Sequence, residues 1–311
     1  MMSKTREILK QLSLGDKKAL ARCITMVENE LDGYENILSS LQIKNIPVIG
    51  FTGPPGAGKS TLINALLSFL SKKNKRIGVI AIDPTSPFNF GSLLGDRLRM
   101  SEHFSDENIF IRSLATRGSL GGLSAKTIEI VDVMKSSDFD YIFLETVGVG
   151  QTEVEVAGLA DTTVLVLAPG FGDEVQTLKS GIMEIGDIFV VNKSDNPGAD
   201  GFAISIQHMV ESKNLSPNPS PKGEGSKGDW FPPVIKVIAT QNEGIEHLMK
   251  KIDGHAAAAP NDKKLFLLTE KAYKLIRNNR MKDLDKKKLQ TQLRKEIERK
   301  NFNLYQFVNS Y

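Results

Sequence analysis

Apolar positions along this chain follow two rhythms. From Ile46 onward, short unbroken apolar runs at Pro47–Thr52, Ile77–Ile82, Ile109–Arg112, Tyr141–Leu144, Thr163–Ala168, Ile188–Val191 and Pro233–Val237 alternate with stretches of helical spacing. A half-buried strand alternates apolar and polar residues, whereas an unbroken run suits a strand covered on both faces. The runs therefore predict an α/β fold, a mostly parallel sheet flanked by helices. Ahead of the sheet, Asp16 to Glu30 reads as a capped amphipathic helix with Leu20, Cys23, Ile24 and Val27 on one side, and a shorter helical stretch reaches Gln42. These helices are expected to pack outside the sheet-bearing fold.

Two later stretches break the pattern. Residues 214–229 are rich in Pro, Gly, Ser and Lys with almost nothing to bury, which predicts a flexible insertion. Beyond Pro260, Leu265, Leu267, Leu268, Ala272, Leu275 and Ile276 return at helical spacing, followed by a lysine-dense segment from Lys282 to Lys300. That segment is either a solvated helical face or an arm for dimerisation or partner docking. The resulting division is an N-terminal helical extension (1–45), a central domain (46–255) and a C-terminal helical arm (256–311).

Composition narrows the field of partners. Forty basic against 37 acidic residues leave a net charge of +3, too small a whole-molecule field to point to nucleic acid. A single cysteine, Cys23, excludes an internal disulfide and a multi-cysteine zinc cluster, and its place on the helical pattern predicts a buried structural thiol. Met1 to Lys10 lacks the apolar core of a signal peptide, and no run approaches the roughly 18 apolar residues that span a bilayer. The expectation is a cytoplasmic protein with no membrane contact.

The chemistry lies at the ends of the predicted strands. Gly53-Pro54-Pro55-Gly56-Ala57-Gly58-Lys59-Ser60 follows the first strand and opens a helical stretch over Thr61–Leu70, the sequence and context of a phosphate-binding P-loop. Its glycines let backbone N–H groups converge on phosphate oxygens at a helix N-terminus; Lys59 is placed to reach the β- and γ-phosphates and Ser60 to ligate magnesium. Asn192-Lys193-Ser194-Asp195 ends a later strand, where ligands bind in open parallel sheets. A carboxylate there accepts from both N1–H and the exocyclic amine of guanine, a pairing adenine cannot offer. Ala239-Thr240, after the last strand, either completes the base pocket or forms a strand-end turn.

Glu145 ends the Tyr141–Leu144 strand, where a magnesium-site carboxylate belongs, and the Gly148 amide is placed to sense a γ-phosphate. Val149 stands where Ras-like proteins carry a water-positioning glutamine, so intrinsic hydrolysis is expected to be slow, with either Gln151 or a partner supplying that group. Asp83 and Asp96 are each either a turn or cap residue or a carboxylate of the magnesium and switch region. Arg112 and Arg117 flank an expected Leu114–Thr116 turn, with ion pairing or transition-state charge stabilisation as their alternative roles. These motifs in this order describe a P-loop GTPase.

DPTSPFNFGSLLGDRLRM, IRSLATRGSLGGLS and ETVGVGQTEVEVAGLADTTVLVLAPGFGDEVQTLKSGIMEIGDIFVVNKSD together resemble the MeaB/ArgK-type GTPases, chaperones of methylmalonyl-CoA mutase. The resemblance covers essentially the whole chain. It implies a homodimeric α/β GTPase that gates cofactor loading of an adenosylcobalamin-dependent acyl-CoA mutase and protects or reactivates it, the adenosylcobalamin belonging to the mutase. It further implies that Lys59, Ser60 and Thr61 bind phosphate and Mg2+, that Asp83, Asp96 and Glu145 form the acidic magnesium and switch set, and that Asn192, Lys193 and Asp195 read guanine. Pro169–Gln176 resembles an additional switch that answers to the mutase. Two departures stand out: Pro87-Phe88-Asn89-Phe90 is bulkier than the small polar residues expected there, and the 214–229 insertion is foreign to the pattern.

Two other classes share part of this signature. A nickel-type metal-insertion chaperone requires soft or imidazole ligands, yet His103, His208, His247 and His255 are scattered and no Cys-x-x-Cys occurs. A kinase requires an acceptor-binding segment, and none is evident beside the guanine tetrapeptide.

Overall fold

The computed structural model describes residues 2–83, 100–115, 125–146, 158–170, 182–214 and 230–258, with the helix Lys286–Ile297 and scattered positions beyond them. The seven apolar runs become β1 (Val48–Thr52), β2 (Ile77–Asp83), β3 (Ile109–Ala115), β4 (Tyr141–Glu145), β5 (Thr162–Leu167), β6 (Ile188–Val191) and β7 (Val234–Lys236). They form one sheet in the order β3-β2-β4-β1-β5-β6-β7, every neighbouring pair parallel. All carboxyl ends therefore share one edge, and β1 lies where the order reverses, with β4 on one side and β5 on the other.

The helices are α1 (Met2–Ser13), α2 (Lys17–Glu28), α3 (Tyr34–Ser39), α4 (Lys59–Ser71), α5 (Ala125–Lys135), α6 (Ala199–Asn214), α7 (Ile245–Ala258) and α8 (Lys286–Ile297). Successive strand residues face opposite sides of the sheet, so Ile49, Val79 and Phe143 pack with α4 and α7, while Val48, Ile80 and Ile142 pack with α1, α2, α3 and α5. The N-terminal helices thus do not pack outside the sheet-bearing fold but share in one of its cores: Leu12, Leu20, Cys23, Ile24, Val27 and Ile37 are all buried there. Asp16 caps α2 by accepting from the Ala19 amide at 2.6 Å. Burial pushes the Cys23 thiol up to about 11, so it remains protonated and structural.

Residues 1–267 form one compact unit and 268–311 a second. The boundary drawn from sequence at 255/256 falls inside α7, which continues to Ala258. In the second unit α8 carries Arg294 and Lys295 in its last turn. The expected turn at Leu114 is not there: Leu114 and Ala115 continue β3, paired with Ile82 and Asp83 of a β2 one residue longer than its apolar run. Arg112 lies within that strand and forms an ion pair with Glu28 of α2, fastening the N-terminal helices to the sheet.

The amino-terminal edge of the sheet is fastened by a repeated device. Asp140, Asp161 and Asp187 precede β4, β5 and β6, and each accepts a backbone N–H at the start of the neighbouring strand: Arg76 at 2.8 Å, Val48 at 2.9 Å and Thr163 at 2.8 Å. Burial alone would raise the Asp140 carboxyl, but Lys75 Nζ at 2.8 Å and the Arg76 amide outweigh it and hold its pKa below the ordinary value.

Two outcomes follow for stability. Ile24→Ala, in α2, should lower the unfolding free energy by about 2–5 kcal/mol in a single urea transition; a sheet that unfolds at an unchanged midpoint would mean that α2 is not part of its core. Because the folded Asp140 pKa is depressed, its contribution is present above the unfolded value of about 4 and lost as pH falls through the folded one. Wild type should therefore lose stability more steeply than Asp140→Asn as pH drops below about 4, read from urea midpoints.

Candidate functional site

The loop after β1 holds its shape through glycine. Gly53, Gly56 and Gly58 have φ of +137°, +80° and +87°, a region that L side chains rarely occupy. Space adds a second requirement: a Cβ on Gly53 would lie 2.0 Å from the Val166 carbonyl oxygen of β5, and one on Gly58 would lie 2.4 Å from Asn192 Nδ2. Gly58 is the N-cap of α4, so Lys59 and Ser60 are its first residues and their N–H groups have no acceptor within the helix. Ala57 is buried beneath the loop, whereas Pro55 and Gly56 are exposed at its crest and Pro54 is half-buried.

Lys59 is buried and its Nζ donates to the Gly53 and Pro54 carbonyl oxygens at 2.7 and 3.0 Å. The ammonium thus lies across the mouth of the loop, a cation held by neutral acceptors where an anion would compete strongly for it. Ser60 Oγ donates to Glu145 Oε1 at 2.5 Å, and both residues are buried. The contact depends on sheet register, since Phe51 of β1 is paired with Glu145 of β4. One residue further, Thr146 donates its amide to the Phe51 carbonyl at 3.1 Å, and its hydroxyl lies 3.3 Å from both that oxygen and Thr52 Oγ1.

The guanine-type tetrapeptide and the phosphate loop are joined directly. Asn192, buried after β6, donates from Nδ2 to the Ala57 carbonyl at 2.9 Å and accepts on Oδ1 from the Ala239 amide at 3.2 Å. One side chain therefore ties together the loops after β1, β6 and β7. Lys193, at φ +54°, donates from Nζ to the Gly56 carbonyl at 2.9 Å. Asp195 is exposed in the same turn, Ala239 is buried, and Thr240 is exposed in the 3-10 turn Ala239–Gln241. Thr61 is exposed on the first turn of α4.

The structure thus brings Gly53 to Thr61, Glu145, Asn192, Lys193, Asp195, Ala239 and Thr240 to the carboxyl edge of the sheet. Asp83 is the last residue of β2 at that same edge. Asp96, Gly148, Gln151, Arg117 and the stretch from Phe171 to Gln176 lie outside the described residues. Thr52 was not singled out from sequence. Its hydroxyl matters only because β4, distant in sequence, lies beside β1, and no local pattern announces that.

Asn192→Ala should remove the brace between the three loops. The expected result is a loss of about 1–3 kcal/mol in unfolding free energy and weaker guanine-nucleotide binding, measured by urea denaturation and nucleotide titration.

A family model described as Methylmalonyl Co-A mutase-associated GTPase MeaB matches residues 20–296. A Pyrococcus abyssi protein is 47% identical over 253 residues, spanning 80% of this chain and 75% of its own length. GTPase ArgK of Escherichia coli is 34% identical over 252 residues, 79% of this chain and 74% of its own. The mouse mitochondrial methylmalonic aciduria type A homolog is 40% identical over 200 residues, 64% of this chain and 46% of its own. A crystal structure titled LAO/AO transport system kinase shares the fold, with a TM-score of 0.65 at 23% identity over 99% of this chain and 96% of that one. With its P-loop and guanine-type turn on one edge of an all-parallel sheet, the chain belongs to the MeaB family of methylmalonyl-CoA mutase-associated GTPases.

Proposed function

We propose that this GTPase is a chaperone of an adenosylcobalamin-dependent acyl-CoA mutase, methylmalonyl-CoA mutase or a close relative, and that it couples GTP hydrolysis to gating cofactor loading and to protecting or reactivating the mutase. The observation that carries the nucleotide part is the Ser60–Glu145 contact beside a lysine held across a glycine loop. Family membership supports the mutase part. The same reading makes the chain a cytoplasmic homodimer.

In this mechanism Lys59 exchanges the Gly53 and Pro54 carbonyls for β- and γ-phosphate oxygens, and the amides of Gly56 to Thr61 donate to the remaining phosphate oxygens. Asn192 and Lys193 hold the base pocket against the phosphate loop, Asp195 accepts from guanine, and the Ala239-Thr240 turn closes beside the base. Magnesium suits the donor set, because Ser60 Oγ and a Glu145 carboxylate oxygen are already adjacent hard oxygen ligands and the nucleotide brings more. When bound, the ion neutralises charge on the β- and γ-phosphates. Asp83 and Asp96 are assigned to the same acidic set, the Gly148 amide to sensing the γ-phosphate, and Gln151 to orienting the attacking water.

The test is GTP turnover by the purified protein, alone and with adenosylcobalamin-dependent methylmalonyl-CoA mutase, with ATP as the control. Slow hydrolysis specific to GTP that rises roughly tenfold or more with the mutase is expected, since a partner can supply missing catalytic groups. Turnover indifferent to the mutase would overturn the chaperone assignment, and equal use of ATP would overturn guanine recognition.

A further inference from the structure

Six residues at the carboxyl edge close a ring. Gly53 O accepts from Lys59 Nζ at 2.7 Å, the chain continues from Lys59 to Ser60, Ser60 Oγ meets Glu145 Oε1 at 2.5 Å, the chain continues from Glu145 to Thr146, Thr146 Oγ1 meets Thr52 Oγ1 at 3.3 Å, and Thr52 leads back into Gly53. Only three joints of the ring are noncovalent. Two of them, at Lys59 and at Ser60–Glu145, involve the groups that must turn to the phosphates and the cation. The third lies between two threonines that are 0% and 2% exposed, behind the ligand-binding surface.

We propose that the Thr52–Thr146 hydroxyl pair is a positioning device for GTP hydrolysis: it is the joint that stays closed when the other two open, and it fixes the spacing between the phosphate loop and the Glu145 carboxylate. The ladder explains why a joint is needed at this point. The last β1–β4 register pair is Phe51–Glu145, and beyond it β1 runs on into the glycine loop, so no further ladder pair holds residue 146. The Thr146 amide at 3.1 Å and its hydroxyl at 3.3 Å both reach the Phe51 carbonyl oxygen, so these contacts hold one backbone point only. With the hydroxyl pair, residue 146 is tied both to the end of β1 and to Thr52, the residue that enters the loop, which limits rotation of the Glu145 peptide about that single point. Neither threonine touches the nucleotide in this scheme. Each acts through its neighbour, Thr52 through Gly53 and Thr146 through Glu145.

The inference rests on Glu145 serving the magnesium site, so Glu145→Gln is measured alongside. Intrinsic GTP turnover without any mutase is followed as a function of GTP and of Mg2+ for wild type, Thr52→Val, Thr146→Val, the double valine variant and Thr146→Ser. The expected result is that Thr146→Val lowers kcat about tenfold, the size of one net hydrogen bond, with KM for GTP unchanged and a higher Mg2+ requirement. Thr146→Val removes the hydroxyl pair together with the Thr146 hydroxyl contact to the Phe51 carbonyl, whereas Thr52→Val removes the pair alone. Thr52→Val should therefore show the same rise in Mg2+ requirement, the double variant should be no worse than Thr146→Val, and Thr146→Ser should retain wild-type kcat. Valine variants that lose thermal stability but keep kcat and Mg2+ dependence would overturn the proposal, as would a serine variant as impaired as valine. If a valine variant does not fold, Thr52→Ser and Thr146→Ser decide: both must keep the wild-type Mg2+ profile, and a shifted profile overturns it. Unchanged Mg2+ dependence in Glu145→Gln would instead count against Glu145 at the magnesium site.

Discussion

The register of β4 against β1, with Glu145 opposite Phe51, is the constraint on which the site depends. These strands are about ninety residues apart in sequence, yet their pairing sets the distance between the Ser60 hydroxyl and the Glu145 carboxylate. Side chains alternate faces along a strand, so a slip of one residue would turn Glu145 away from α4 and bring Phe143, buried against Phe51 at a ring separation of 5.1 Å, out of its core. Hydrophobic packing and site geometry therefore enforce the same register. The apolar residues of β4 are almost fully buried, and this is what makes the polar contact at its end reproducible.

The two edges of the sheet are built differently. At the amino edge, Asp140, Asp161 and Asp187 occupy strand-start amides of neighbouring strands, so that edge is closed by its own side chains. At the carboxyl edge, the loops after β1, β6 and β7 are joined by one amide side chain, Asn192, which uses both its donor and its acceptor. An ionised carboxylate at position 192 has no proton to donate to the Ala57 and Gly58 carbonyls, whereas an amide both donates and accepts. The P-loop and the guanine-type turn are consequently braced against each other without a ligand, an arrangement that lowers the cost of binding one.

The lysines of the site show how a cation is stored near a position meant for an anion. Lys59 and Lys193 both donate to carbonyl oxygens of the same glycine loop. Such bonds compensate for partial burial, and an anionic acceptor would make stronger ones. The loop is thus held in shape by the side chains that phosphate would recruit.

Much of this was legible in the sequence because it is local. An unbroken apolar run reports burial on both faces, and glycines before Lys-Ser report positive φ and converging amides. The seven strands, the P-loop helix and the guanine-type turn accordingly lie where pattern and motif place them. The N-terminal helices were legible as helices, through Asp16 and the spacing of Leu20, Ile24 and Val27, but not as part of the cover of a sheet face, because periodicity shows that a face is apolar without showing what covers it. The extension of β3 through Ala115 was hidden for a related reason: its ladder partner is β2, and strand length is decided by pairing. Sequence by itself determined the element types, the fold class and the P-loop and guanine-type motifs that mark the candidate site. Only the tertiary structure decided that β4 lies between β1 and β2, that Asn192 spans three loops and that Thr52 meets Thr146. Those contacts join residues far apart in the chain, and no local propensity encodes such a distance.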